Sequence, residues 1–206
     1  MVWQYLFYAV FGFMLGSVLF SYHLPLWLCH VDIIAQSKDH NPGTHNAMHL
    51  AGVPVGILCL LCDIGKGFLP VFLACRKLPT DSWLFALVLL APVLGHAWAP
   101  LYRTGGKAIA TSFGVLLGLL PYSYAVFVLV ALYLGNVLVL KIRPNERCSV
   151  CTFLAFGSLM LGAAVLFTHH YAVGAGCVCI SAVAVWRNTE KSPAPQQDAE
   201  LQTKEA

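Results

Sequence analysis

Four short stretches of this chain hold the residue types that do chemistry. In YRTGGKAIATSFG, residues 102–114, two glycines and a lysine precede a helix-forming run. Gly105 and Gly106 let the backbone turn tightly and come close to a ligand. A helix beginning near Ala108 would aim its free N–H groups and positive dipole end at the same place, and Lys107 adds a full charge. Those features suit a phosphate. They also describe an ordinary glycine-rich turn with an interfacial lysine, since glycine is tolerated at helix starts. A Walker A loop is excluded, because position 101 is Leu and Lys107 is followed by Ala.

The second stretch, LLCDIGKGFLP, places Asp63 and Lys66 inside an apolar run, three residues apart and so on one helical face. A charge at bilayer depth costs about 2.5–3.5 kcal/mol on insertion scales and normally faces a protein interior or a cavity. The pair is expected to line a polar cavity or to serve as an internal ion pair. The third stretch, QSKDHNPGTHNAMH, carries His40, His45 and His49 with Asn41 and Asn46 around an Asn-Pro-Gly turn. His45 and His49 are four apart, but the central Glu of a zinc-binding helix is missing. Contacts to phosphate or carbonyl oxygens therefore compete with metal ligation there. In the fourth, GHAWAP, His96 comes shortly before the Gly-Gly-Lys loop. It would line the same cavity or simply bond a neighbouring helix.

Membrane helices must position these residues. The chain has 206 residues, 59% hydrophobic and 10% charged, where soluble domains carry about 25% charged residues. A net charge of +3 gives no reason to expect nucleic acid. The eight cysteines fall mostly in or beside apolar runs, where cysteine behaves as a small hydrophobe, so no metal site is expected. No basic residue precedes Lys38, so the first apolar run does not read as a cleavable signal and is expected to be retained. Candidate spans are residues 2–28, 50–74, 82–102, 121–140, 151–168 and 171–186. Residues 105–120 form one more helix-like run, about 24 Å long at 1.5 Å per residue.

Basic residues decide whether that short run counts as a span. With seven spans and an outside N-terminus, the inner side receives Lys38, Arg103, Lys107, Lys141, Arg143, Arg147, Arg187, Lys191 and Lys204. The outer side receives Arg76 and Lys77, and Lys66 stays within a span. The expected fold is thus an all-α membrane protein of about seven transmembrane helices, N-out and C-in, with one short helix after the Gly-Gly-Lys loop. Residues 1–187 form one polytopic domain, and 188–206 a polar tail expected to be disordered. Chemistry should lie on the cytoplasmic face of a cell membrane, where the polar segments gather.

GHAWAPLYRTGGKAIATSFGVLLGLLP resembles a signature of the bacterial acyl-phosphate:glycerol-3-phosphate acyltransferases, the PlsY family, roughly GH-x-x-P-x-x-x-x-F-x-GGK-G-V-A-T. Gly95, His96, Gly105, Gly106, Lys107, Ala110 and Thr111 match, with one residue fewer between the two halves. Gly16 and Ser17, VDI at 31–33, NPGTHN at 41–46 and DIGKG at 63–67 follow in the family's order, so the likeness covers about residues 1–165. It implies transfer of a fatty acyl group from acyl phosphate to the sn-1 hydroxyl of glycerol 3-phosphate, for phospholipid synthesis, without metal or organic cofactor. Acyl phosphate, glycerol 3-phosphate and membrane lipid would be the partners. By the same resemblance Asn41, Asn46, His96 and Lys107 are the catalytic candidates. Gly105, Gly106, Lys107, Thr111, Lys66 and Asp63 are the candidates for holding phosphate.

The chain departs from the family at its first signature, G-S-G-N-x-G-A-T-N-x-x-R, where it reads KDHNPGTHNAMH. Asp39 stands for serine, His45 for threonine and His49 for arginine, and Ile34 replaces an upstream arginine. The family's Ser-x-x-Ser corresponds loosely to Cys148 and Cys151, and its C-terminal R-H-x-E-N is echoed by Arg187, Asn188 and Glu190. Two readings of different class follow: an acyltransferase, favoured by the intact Gly-Gly-Lys loop and Asp63/Lys66, and a non-catalytic or lipid-binding protein on the same scaffold. A transporter would also use intramembrane Asp and Lys. No histidine is followed five residues later by Asp, so the H-x-x-x-x-D acyltransferases find no support.

Overall fold

The computed structural model describes residues 1–102 and 104–190. Arg103, Lys191, Lys204 and the tail from 191 onward lie outside the described residues. Among the described residues every regular element is helical: α1 (Val2–Ser17), α2 (Phe20–Cys29), α3 (Ile33–Gln36), α4 (Thr44–Leu50), α5 (Val53–Cys75), α6 (Trp83–Trp98), α7 (Ile109–Gly118), α8 (Ala125–Leu134), α9 (Asn145–Ala163) and α10 (Tyr171–Thr189). Single π-helical turns, Gly135–Val139 and Ala164–Thr168, extend α8 and α9. Four segments are long and apolar enough to cross a membrane: Val2–Cys29, Val53–Cys75, Asn145–Thr168 and Tyr171–Thr189. Trp83–Trp98, Ile109–Gly118 and Ala125–Val139 are shorter apolar helices.

Three expectations shift. The first apolar run is two helices rather than one. Val18 turns extended at φ −74°, ψ 118°, so its carbonyl leaves the helical ladder. A bare carbonyl at membrane depth needs a donor, and Lys66 Nζ supplies one at 2.6 Å. The run at 105–120 contracts to the ten residues of α7, about 15 Å of helix, because Gly105 to Ala108 form the loop that leads into it. The boundary at 187 also moves: Asn188 and Thr189 complete α10, and Asn188 is buried.

One apolar core joins α5 to α10. Phe85, Leu89, Leu116, Leu129, Phe153, Phe156 and Ile180 are all fully buried in it. The outward faces stay greasy as well: Phe7, Leu61, Phe127, Leu154 and Leu166 are exposed, as lipid contact requires.

The α1–α6 contact is backbone against backbone. A Cβ on Gly95 would stand 2.9 Å from Ser17 N and 3.1 Å from Gly16 C, and nearer still to Phe13 O. Gly95→Val is therefore expected to destabilise the protein by about 1–3 kcal/mol, the usual cost of overpacking. Thermal unfolding in detergent would register it, and an unchanged Tm would mean the two helices separate freely. Gly95 directly precedes His96, so this contact also sets where the His96 ring points.

Candidate active site

A cavity of about 440 Å³ opens between the loop before α4, the middle of α5, the start of α7 and the facing parts of α8 and α9. Asn41, Asn46, Asp63, His96 and Lys107 all line it. They come from four separate parts of the chain. Apolar side chains, Leu60, Ile64, Phe113 and Val137, complete the wall.

Asp63 and Lys66 meet as their spacing requires, with Nζ 2.8 Å from Oδ1, and exposures of 1% and 2% show how far from solvent the pair lies. Ser21 Oγ donates to the other oxygen, Oδ2, at 2.6 Å. The ammonium also reaches His96 Nδ1 at 2.7 Å, besides the Val18 carbonyl. A lysine ammonium donates and cannot accept, so Nδ1 accepts and the ring proton sits on Nε2. Lys66 itself does not line the cavity. It stands behind Asp63 and His96 and fixes both.

The Gly-Gly-Lys loop is pinned from two sides. Gly106 N–H donates to the His96 carbonyl at 3.0 Å. Arg187 on α10 donates to the Gly105 carbonyl at 2.8 Å and, through Nε, to the Gly106 carbonyl at 3.3 Å. Asn188 Nδ2 reaches the Lys107 carbonyl at 3.3 Å and Ala184 O at 2.7 Å. Gly105 and Gly106 thus lie behind the cavity wall. A Cβ on Gly106 would strike the His96 ring at Nε2, so glycine here lets imidazole and loop touch. Ala108 then turns into α7 with φ 63°, a left-handed conformation that costs an L-residue about 1–2 kcal/mol. Thr111, one turn further, is fully buried and outside the cavity lining, and its hydroxyl has no partner among the described residues.

Lys107 enters the cavity as one member of a three-residue ion pair. Its Nζ is 2.8 Å from Asp39 Oδ2 and 3.0 Å from Glu146 Oε1. Asn46 braces the same corner, donating to Asp39 Oδ1 at 2.7 Å and to the Asn41 carbonyl at 2.8 Å. Burial pushes the Asp39 carboxyl up, but the bonds from Lys107 and Asn46 and the lysine charge outweigh it and leave the pKa below the ordinary value. Partial burial pulls Lys107 down, yet the two carboxylates more than offset it and hold the ammonium above its usual pKa.

The chain matches the family model described as "Glycerol-3-phosphate acyltransferase" over residues 6–193. The chain belongs to the glycerol-3-phosphate acyltransferase family. A relative of that name from Maridesulfovibrio salexigens is 32% identical over 81% of this chain and 77% of its own length. One from Thermotoga petrophila is 38% identical over 53% of this chain, and the match spans 55% of that relative. Among solved structures, the glycerol 3-phosphate form of PlsY (YgiH), an integral membrane glycerol 3-phosphate acyltransferase, superposes with a TM-score of 0.75. It is 26% identical, with 97% of this chain and 92% of that one covered.

Within this acyltransferase fold, sequence reasoning missed several lining residues. Tyr133 and Ser149 share a hydrogen bond of 2.7 Å and line the cavity. Tyr133 is a single polar residue in an apolar run, and Ser149, which also donates to the Asn145 carbonyl at 3.0 Å, follows a charged stretch that gives no sign of a partner 16 residues away. Ser149 sits beside Cys148, one position from the Cys148/Cys151 pair aligned with the family's serines. Glu146 lies in a segment whose basic residues drew attention instead. Asn188 had a signal in the echo of the C-terminal signature. His45, also in the lining, stacks edge-on against His49 with ring centroids 4.4 Å apart.

Proposed function

We propose that this chain transfers a fatty acyl group from acyl phosphate to the sn-1 hydroxyl of glycerol 3-phosphate, leaving lysophosphatidic acid for phospholipid synthesis. The observation that carries this reading is the two-sided lining of one cavity: Lys107, His96, Asn41 and Asn46 beside Leu60, Ile64, Phe113 and Val137. A lipid-like donor and an anionic acceptor need such a pair of surfaces side by side. The volume of about 440 Å³ falls in the range of small-molecule sites.

In the reaction the acceptor hydroxyl oxygen bonds to the acyl carbonyl carbon. The bond from that carbon to the phosphate oxygen breaks, and the hydroxyl proton leaves with orthophosphate. Lys107 would meet phosphate charge, the Nε2–H of His96 would donate to a reacting oxygen, and Asn41 and Asn46 would shape the polar end. Such positioning and fixed donors supply much of the rate in acyl transfer.

Seven membrane crossings, N-terminus outside and C-terminus inside, accompany this reading. Seven apolar helical segments in chain order and the bias of basic residues toward one side support it. The site then faces the cytoplasm from a cell membrane. The test offers purified protein radiolabelled glycerol 3-phosphate with acyl phosphate, acyl-CoA or acyl-carrier protein separately. Turnover is expected with acyl phosphate. A folded preparation that turns over none of the three donors would leave a lipid-binding role on the same scaffold.

A further inference from the structure

Lys107 is the side chain best placed to receive a phosphate, and it already has two anionic partners. Asp39 is anchored twice, by Lys107 at 2.8 Å and by Asn46 at 2.7 Å. Glu146 has a longer side chain, 44% exposed against 40% for that of Asp39, lacks the bond from Asn46, and reaches Lys107 at 3.0 Å from the first turn of α9. Among the described residues, the carboxylates Asp39, Asp63 and Glu146 line the cavity, against Lys107 in the wall and Lys66 behind it. Three negative charges thus face Lys107 as the cation of the lining before any substrate arrives, with Lys66 and Arg187 set behind the wall. A phosphate placed on Lys107 would sit within a few ångströms of both Asp39 and Glu146, and like charges at that range repel strongly where solvent is partly excluded.

We infer that Glu146 is a displaceable competitor for substrate phosphate, a specificity-determining residue that occupies Lys107 in the empty site and swings away when phosphate binds. Asp39, tied down by Asn46, stays and keeps the ammonium aimed into the cavity. Glu146 comes from a helix start with an exposed side chain, so it can move to solvent without unfolding anything. Its return helps expel orthophosphate after transfer. The site therefore holds phosphate more weakly than an unopposed lysine would, and releases it faster. This inference rests on the phosphate-handling reading above.

The test is Glu146→Gln, which keeps shape and removes charge. Orthophosphate binding is measured by calorimetry on detergent-purified protein, and KM for acyl phosphate and for glycerol 3-phosphate is measured separately. Affinity for orthophosphate is expected to rise about fivefold, as for loss of a partly exposed competing charge. One of the two KM values should fall with it while kcat does not rise, and the one that falls names the substrate whose phosphate takes the seat. Asp39→Asn, which keeps an acceptor for Asn46, runs beside it. Unchanged or weaker orthophosphate binding in Glu146→Gln would overturn the inference, because Glu146 would then only brace Lys107. The binding arm needs no turnover, so it decides the role of Glu146 even if every acyl donor fails.

Discussion

Lys107→Met should lower kcat/KM for acyl transfer by about 10²–10³, the usual cost of removing a main charge-stabilising donor from an acyl-transfer site. Among the described residues, Lys107 is the cation in the cavity lining. Removing it takes away the charge that meets phosphate. It also leaves Asp39 and Glu146, both drawn to the same ammonium within 3.0 Å, without their shared counterion. The loss should therefore be larger than neutralising a free surface lysine would give. Adding Glu146→Gln to Lys107→Met should relieve the repulsion but restore little turnover, since the ammonium itself is missing. Stability should change little, because this ion pair is partly open to solvent, where pairs contribute about 0–1 kcal/mol. Acyl transfer measured with wild type and both variants decides the matter. Full activity in Lys107→Met would move the phosphate seat elsewhere.

Asp63→Ala should have a large effect on stability. It strands the Lys66 ammonium, 2% exposed, among helices, and breaking a buried pair from one side costs about 3–5 kcal/mol. Lys66→Met should cost at least as much. It leaves Asp63 with Ser21 as its hydrogen-bond donor and removes the donor to the Val18 carbonyl at the α1–α2 break. The double change Asp63→Ala with Lys66→Met should recover much of the loss, though not all, because the Val18 carbonyl stays unsatisfied. Thermal unfolding in detergent of the three variants gives the coupling directly. Single losses that simply add in the double variant would mean the two charges act independently. Lys66→Met should also lower turnover beyond its effect on folding, since the His96 Nδ1 partner that fixes the ring tautomer is gone.

Much of this molecule was legible before its structure. The runs at 50–74 and 171–186 became α5 and α10 with ends moved by a few residues. Their apolar length alone demands helices that bond their own backbones in lipid. Asp63 and Lys66 had to meet because a helix brings residues three apart onto one face. The Gly-Gly-Lys stretch had to be a turn before a helix for local conformational reasons, and Asn41, Asn46, His96 and Lys107 do share a cavity. The break at Val18 was hidden, because no proline marks it, Gly16 and Ser17 are tolerated inside a membrane helix, and its carbonyl is satisfied by a lysine 48 residues away.

What the sequence determined by itself is the set of properties that depend on near neighbours: helical periodicity, apolar length, turn-forming glycines and the pairing of charges one turn apart. The tertiary structure alone decided which distant groups meet. It brought Asp39 and Glu146 to Lys107 across 68 and 39 residues, and Arg187 to the Gly105 carbonyl across 82. Those choices rest on how helices pack and where backbones touch, and no periodicity in the chain encodes them.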